Sequence, residues 1–96
     1  MNTAELIIAA EFCRYHQTEI TFLRSLQESG LVALIEEKEI LYIPMTEVTK
    51  LEKLSRLHYD MDINLEGLET IAHLLGKMEE MQQQIRLLNS RLSIYE

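Results

Sequence analysis

One thiol, three imidazoles and a dense set of carboxylates are the groups in this sequence with chemistry to offer. Cys13 is the only cysteine in 96 residues. An internal disulfide is therefore excluded, and a lone thiol suits a reducing compartment, so a cytoplasmic location is expected. Helical spacing places Cys13 on one face with Ala9, Phe12 and His16, which predicts a small buried apolar side chain and not a nucleophile. Metal chemistry has one candidate pair, His58 and Asp62 at i and i+4, and no second pair that would converge with it. His16 and His73 have no partner at ligand spacing. Only three glycines are present, with no phosphate-cradling loop and no nucleophile elbow. No catalytic residue, cofactor or metal is assigned, and a non-enzymatic protein is expected.

The carboxylates carry more information. Between residues 5 and 45, Arg14, Arg24 and Lys38 stand against Glu5, Glu11, Glu19, Glu28, Glu36, Glu37 and Glu39, three cations to seven anions. The whole chain has a formal charge of −7. Affinity for a nucleic acid comes largely from Lys and Arg displacing condensed counterions. The balance therefore disfavours nucleic acid, without excluding it, and disfavours an anionic membrane surface. It favours a basic protein surface as partner. The candidate contacts are Glu19, Glu28, Glu36, Glu37 and Glu39, with Arg24 as the one cation among them. No apolar run reaches about 18 residues, so no membrane span is expected. The first five residues lack the basic and apolar regions of a signal peptide.

The elements that must position these groups read mostly as helices, since only three Gly and one Pro interrupt 47% apolar residues. Leu6, Ile7 and Ile8 form a short β-prone run. Ala9 to His16 predicts a first helix. Thr18 is the expected N-cap of a second helix running to Ser29, with Ile20, Leu23 and Leu26 inward and Gly30 at the C′ position. The short link between them is helix-turn-helix geometry. Residues 34–43 then read as two β arms, Leu34-Ile35 and Ile40 to Ile43, around the charged tip Glu36 to Glu39. No Gly or Asn marks a tight turn there. Pro44 breaks the strand, and a third helix starts near Thr46. It carries Val48, Leu51, Leu54, Leu57 and His58 as its apolar stripe, with Glu47, Lys50, Glu52, Lys53 and Arg56 facing water. Tyr59 to Asn64 is a connection, and a further helix begins near Leu65 with Leu68, Ile71, Ala72 and Leu75 inward.

The tail is the most regular part. Ile71, Leu74, Met78, Met81, Ile85, Leu88, Leu92 and Tyr95 step alternately by three and four residues. That is an uninterrupted a/d heptad seam, the pattern of a coiled coil and not the broader stripe of a globular helix. A homodimer joined through these residues is expected. The division predicted is a head with two following helices over 1–76 and a coiled-coil dimerisation helix over 77–96, with Gly76 at the junction. The flanking positions, Lys77, Gln84 and Arg91 at g and Leu75, Gln82, Asn89 and Glu96 at e, leave strand direction open. A parallel pair sets Arg91 near Glu96 of the second copy, and an antiparallel pair sets Lys77 near Arg91.

In this order the elements resemble the MerR-type regulators over nearly the whole chain: a winged helix-turn-helix, two further helices and a terminal coil. Within that superfamily the chain is similar to the CbpM-type chaperone modulators. The likeness rests on Glu11-Phe12-Cys13, on Leu23, Leu26 and Gly30-Leu31-Val32, and on Arg56-Leu57-His58. It continues through Asp62-Ile63-Asn64-Leu65-Glu66-Gly67-Leu68 and Arg86-Leu87-Leu88-Asn89-Ser90-Arg91-Leu92. The resemblance implies a mostly α fold with a small β wing. It also implies an adaptor that binds the J-domain of a DnaJ/CbpA-type co-chaperone and restrains its stimulation of Hsp70. DNA-binding relatives carry basic residues at the start of the second helix and a Gly-Tyr-Arg-like signature in the wing. Here the wing reads Glu39-Ile40-Leu41-Tyr42, and the second helix offers Arg24 alone. Metal-sensing relatives hold cysteines near the coil, and none follows Cys13.

Overall fold

The computed structural model describes residues 5–95. The elements run β1 (Leu6–Ile8), α1 (Ala9–His16), α2 (Ile20–Glu28), β2 (Ile35–Glu37), β3 (Ile40–Pro44), α3 (Met45–Tyr59) and α4 (Leu65–Ile94). The three strands form one antiparallel sheet in the order β1-β3-β2, with Ile7 opposite Ile43 and Glu36 opposite Leu41. This is a winged helix-turn-helix head on a long C-terminal helix.

Each boundary has a local cause. Gln17 adopts a left-handed conformation (φ 56°) and ends α1, and the Thr18 N–H returns to the Cys13 carbonyl at 2.9 Å. Thr18 is thereby drawn into the cap of α1, so it is not the N-cap of α2 that the sequence predicts. Glu19 takes that position, in extended backbone and without a side-chain cap. At the other end Gly30, with φ +83°, behaves as its position in the sequence requires. Its N–H reaches Gln27 O at 3.0 Å and that of Leu31 reaches Leu26 O at 2.9 Å. That pair of bonds is the Schellman cap, which needs a residue free to adopt positive φ.

The wing departs from the sequence reading at its tip. Glu36 and Glu37 are strand residues, and only Lys38 and Glu39 make the turn, with φ 50° and 67°. A two-residue hairpin loop with positive φ at both positions is a primed turn, whose backbone twist matches that of the flanking strands. The pairing of Glu37 with Ile40 forces this conformation on two residues that do not prefer it. Pro44 ends β3 opposite Leu6 and caps α3, which starts at Met45. Proline is suited to the end of a strand, where it has no ladder hydrogen bond to donate.

The core lies between the sheet and the helices. Leu23, Leu26, Ile43, Leu51 and Leu68 are its largest fully buried side chains, each stabilising the fold by roughly 1.5–3 kcal/mol relative to an exposed position. Cys13 and Phe12 join them from α1. Asn64 caps α4, its side-chain oxygen accepting the Gly67 N–H at 2.8 Å. A Cβ on Gly67 would meet Ile63 Cγ2 at 2.7 Å, so any larger residue there forces Ile63 to shift. From there α4 continues without a break through Gly76 to Ile94. Only its first turns are held by the head: Leu68 is buried and Ile71 and Ala72 are half-buried. Leu75, expected to face inward, is 51% exposed, because the head ends below it.

Candidate interaction surfaces

The charged head is held together by side chains that cross between elements. Arg24 Nη1 of α2 lies 3.4 Å from Glu36 Oε1 of β2, with both side chains about half exposed. Glu36 lies opposite Leu41 in the ladder, on the face toward the helices, and so can reach α2. The single cation of the second helix is therefore neutralised by the wing. Glu47, expected to face water, instead reaches back to accept the Ala33 N–H at 2.8 Å, and its side chain is 17% exposed. Its neighbour Lys50 donates to the Leu31 carbonyl at 3.2 Å. Together with Gln27, whose side-chain amide donates to the Leu34 carbonyl at 3.4 Å, they fasten the link between α2 and β2.

The remaining candidate acids belong to the wing and to the ends of α2. Glu37 and Glu39 lie on the wing, on either side of Lys38. Glu19 and Glu28 stand at opposite ends of α2, nine residues and so about 13 Å apart at 1.5 Å per residue. Glu19 is tied locally, its N–H donating to the Tyr59 hydroxyl at 3.1 Å. Of the six residues, Arg24 and Glu36 form the one ion pair among them, Glu37 and Glu39 belong to the wing, and Glu19 and Glu28 to the two ends of α2, with Glu28 one turn from Arg24.

The groups with metal or nucleophile chemistry are packed elsewhere. The His58 ring stacks on Phe22 with centroids 4.4 Å apart, and its Nδ1 lies 2.8 Å from the Ile63 carbonyl. Asp62 has φ 61° in the turn before α4. His58 thus joins α2, α3 and the turn as an aromatic filler with one hydrogen bond. His16 packs against Phe12 and lies 3.5 Å from Glu52. Cys13 is buried. A cleft of about 220 Å³ lies beside His16, Thr18, Glu52, Ser55, Arg56 and Tyr59. The hydroxyls of Thr18 and Ser55 are buried there without a hydrogen-bond partner among the described residues.

The heptad seam occupies one side of α4 beyond the head. Leu74, Met78, Met81, Ile85, Leu88 and Leu92 are each between 53% and 61% exposed, and Tyr95 is 87% exposed. Ile71 is the one seam residue that the head partly covers. Glu96, which the parallel pairing invokes, lies outside the described residues, as do residues 1–4. No helix among the described residues is long and apolar enough to cross a membrane.

Comparison with known proteins agrees with this architecture. A family described as MerR HTH family regulatory protein has a model that matches residues 7–90. Among the curated proteins and among the solved structures, nothing matches.

Proposed function

Because this chain belongs to the MerR helix-turn-helix family of regulatory proteins, we propose that it is a regulator whose target is a protein and not DNA. In this reading it is a homodimeric adaptor, joined through the α4 seam, that binds the J-domain of a DnaJ/CbpA-type co-chaperone. Binding blocks the co-chaperone's approach to Hsp70 by steric occlusion. The supporting observation is the state of the reading head. Its one helix-2 cation, Arg24, is paired with Glu36, so the face a DNA reader turns to phosphate offers little positive charge. J-domains present a basic helix to Hsp70. An acidic head steers such a partner into encounter, while apolar contacts supply the affinity. Titration of a J-domain into the full chain tests this. Binding that weakens with salt and lowers J-domain-stimulated ATP hydrolysis by Hsp70 is expected. No binding at concentrations on the order of 10⁻⁵ M, an affinity weaker than about −7 kcal/mol, overturns it.

A second reading is favoured by the family itself: a MerR-like transcription factor in which two copies of the head supply enough cations together. A gel shift across increasing salt, on the promoter of the chain's own gene, separates the two. Sequence-specific retardation that disappears in Arg24→Glu reverses the ranking.

A further inference from the structure

The sheet of the head has two apolar faces, and the helices cover one. Alternation along the strands sends Ile7, Leu41 and Ile43 toward the core, where Ile43 is fully buried. The intervening residues share the opposite face. Leu6 is paired with Pro44, and Ile8 and Ile35 flank Tyr42 from either side. Ile40 completes the face next to the turn. Leu6 and Ile8 are each 38% exposed, Ile35 37% and Ile40 44%. A strand that is apolar on both faces belongs to a sheet with a layer on each side. Among the described residues no second layer covers this face.

The size and charge of this face specify an occupant. Three strands about 4.8 Å apart span about 10 Å, and three to five residues of strand run about 10–17 Å. That area matches two to three turns of one α-helix, which is about 10 Å across. Glu37 projects on the same face opposite Ile40, Glu39 stands in the turn, and Glu5 precedes β1 at the other end. Lys38 stands between Glu37 and Glu39, and Glu36 is on the other face and engaged with Arg24. We propose that the outer face of the β1-β3-β2 sheet is the docking surface for a basic amphipathic helix of a protein partner. Its apolar stripe lies across Ile8, Tyr42, Ile35 and Ile40, and its cations lie against Glu37 and Glu39. This deepens the reading above, on which it rests for the identity of the partner, by naming the surface used.

The test uses the full chain, the J-domain, and a synthetic Leu/Lys helical peptide of about 18 residues, or five turns. Fluorescence anisotropy gives affinity for each at low and moderate salt. Both are expected to bind the wild type. Ile35→Lys with Ile40→Lys weakens both by more than about tenfold, the size of a lost anchor residue. Glu37→Lys with Glu39→Lys weakens them several-fold, an effect that shrinks as salt rises. The single Ile40→Ser replacement, at the most exposed of these positions, keeps the test open if the double lysine variant does not fold. J-domain binding that survives every one of these changes overturns the surface and leaves the proposed function standing. Peptide binding at this face with no J-domain binding supports the surface and overturns the J-domain reading. If neither binds, both fail. If the variants abolish self-association and leave peptide binding intact, the face is a contact between copies and the proposal is overturned.

Discussion

Ser55 and Thr18 hold buried hydroxyls without a hydrogen-bond partner among the described residues, and Ser55 is only 6% exposed. An unpaired buried hydroxyl forfeits its hydration, at a cost of about 1–3 kcal/mol. Alanine at 55 removes that cost, keeps the helix, and has the better helical propensity by up to roughly 0.5 kcal/mol. Ser55→Ala is therefore expected to be neutral or to stabilise the protein by about 1 kcal/mol in urea denaturation. A loss above about 0.5 kcal/mol, outside the usual range for a change that removes nothing, means that Ser55 holds a partner in the cleft. Neither hydroxyl was legible from the sequence, which shows a serine on a helix but not what surrounds it. The acids were legible as a count and not as a site. Arg24 and Glu36 are separated by 12 residues, with a helix end and a loop between them, so their pairing depends on how the wing folds back. As an exposed pair it is worth about 0–1 kcal/mol, and its importance is that it sets an anion beside the one cation of α2.

At the level of elements, periodicity was informative wherever it was pure. α1 occupies the residues its apolar spacing predicts, and α4 begins at Leu65 as its apolar pattern requires. What escaped was conformation imposed by neighbours. Thr18 looks like an N-cap until left-handed Gln17 draws it into the end of α1. The wing turn was hidden because Lys38 and Glu39 are poor residues for it. Each carries the steric cost of left-handed backbone, about 1 kcal/mol for a residue with a Cβ. Lys38→Asn with Glu39→Gly supplies the pair that a primed turn prefers. This variant is expected to be about 1 kcal/mol more stable, a rise of about 4–8 °C in melting temperature for a domain of this size. An unchanged or lower melting point would mean that the turn is not the primed one. The outer sheet face escaped for a different reason. Alternating apolar residues announce a strand, yet strands apolar on both faces read alike whether or not a second layer is present.

At the scale of the whole molecule, the extents of 57 × 37 × 21 Å reflect a head from which most of α4 projects. The seam was legible because a heptad repeat is independent of the head. Its direction was not, because so few charges flank it. A monomer would leave Leu74, Met78, Met81, Ile85, Leu88 and Leu92 in water along one side, a contiguous apolar stripe that folded monomers rarely expose. Most helical stability in proteins comes from packing of an apolar face, so in the proposed dimer the distal part of α4 would draw its stability from a second copy. Ile85 and Leu88 are central in the exposed seam, and in a pair each would be worth roughly 1.5–3 kcal/mol on burial. A glutamate at either position sets a charge in that seam against its counterpart. Ile85→Glu and Leu88→Glu are each expected to give a monomer by light scattering, with reduced helical circular dichroism. The wild-type melting temperature should rise with protein concentration, as association requires, and that of the variants should not. Retained core packing in the head, read from unchanged tyrosine fluorescence, would locate the loss in the coil. A wild type that is monomeric at tens of micromolar, with a melting point independent of concentration, would refute the dimer and leave the seam to a different partner.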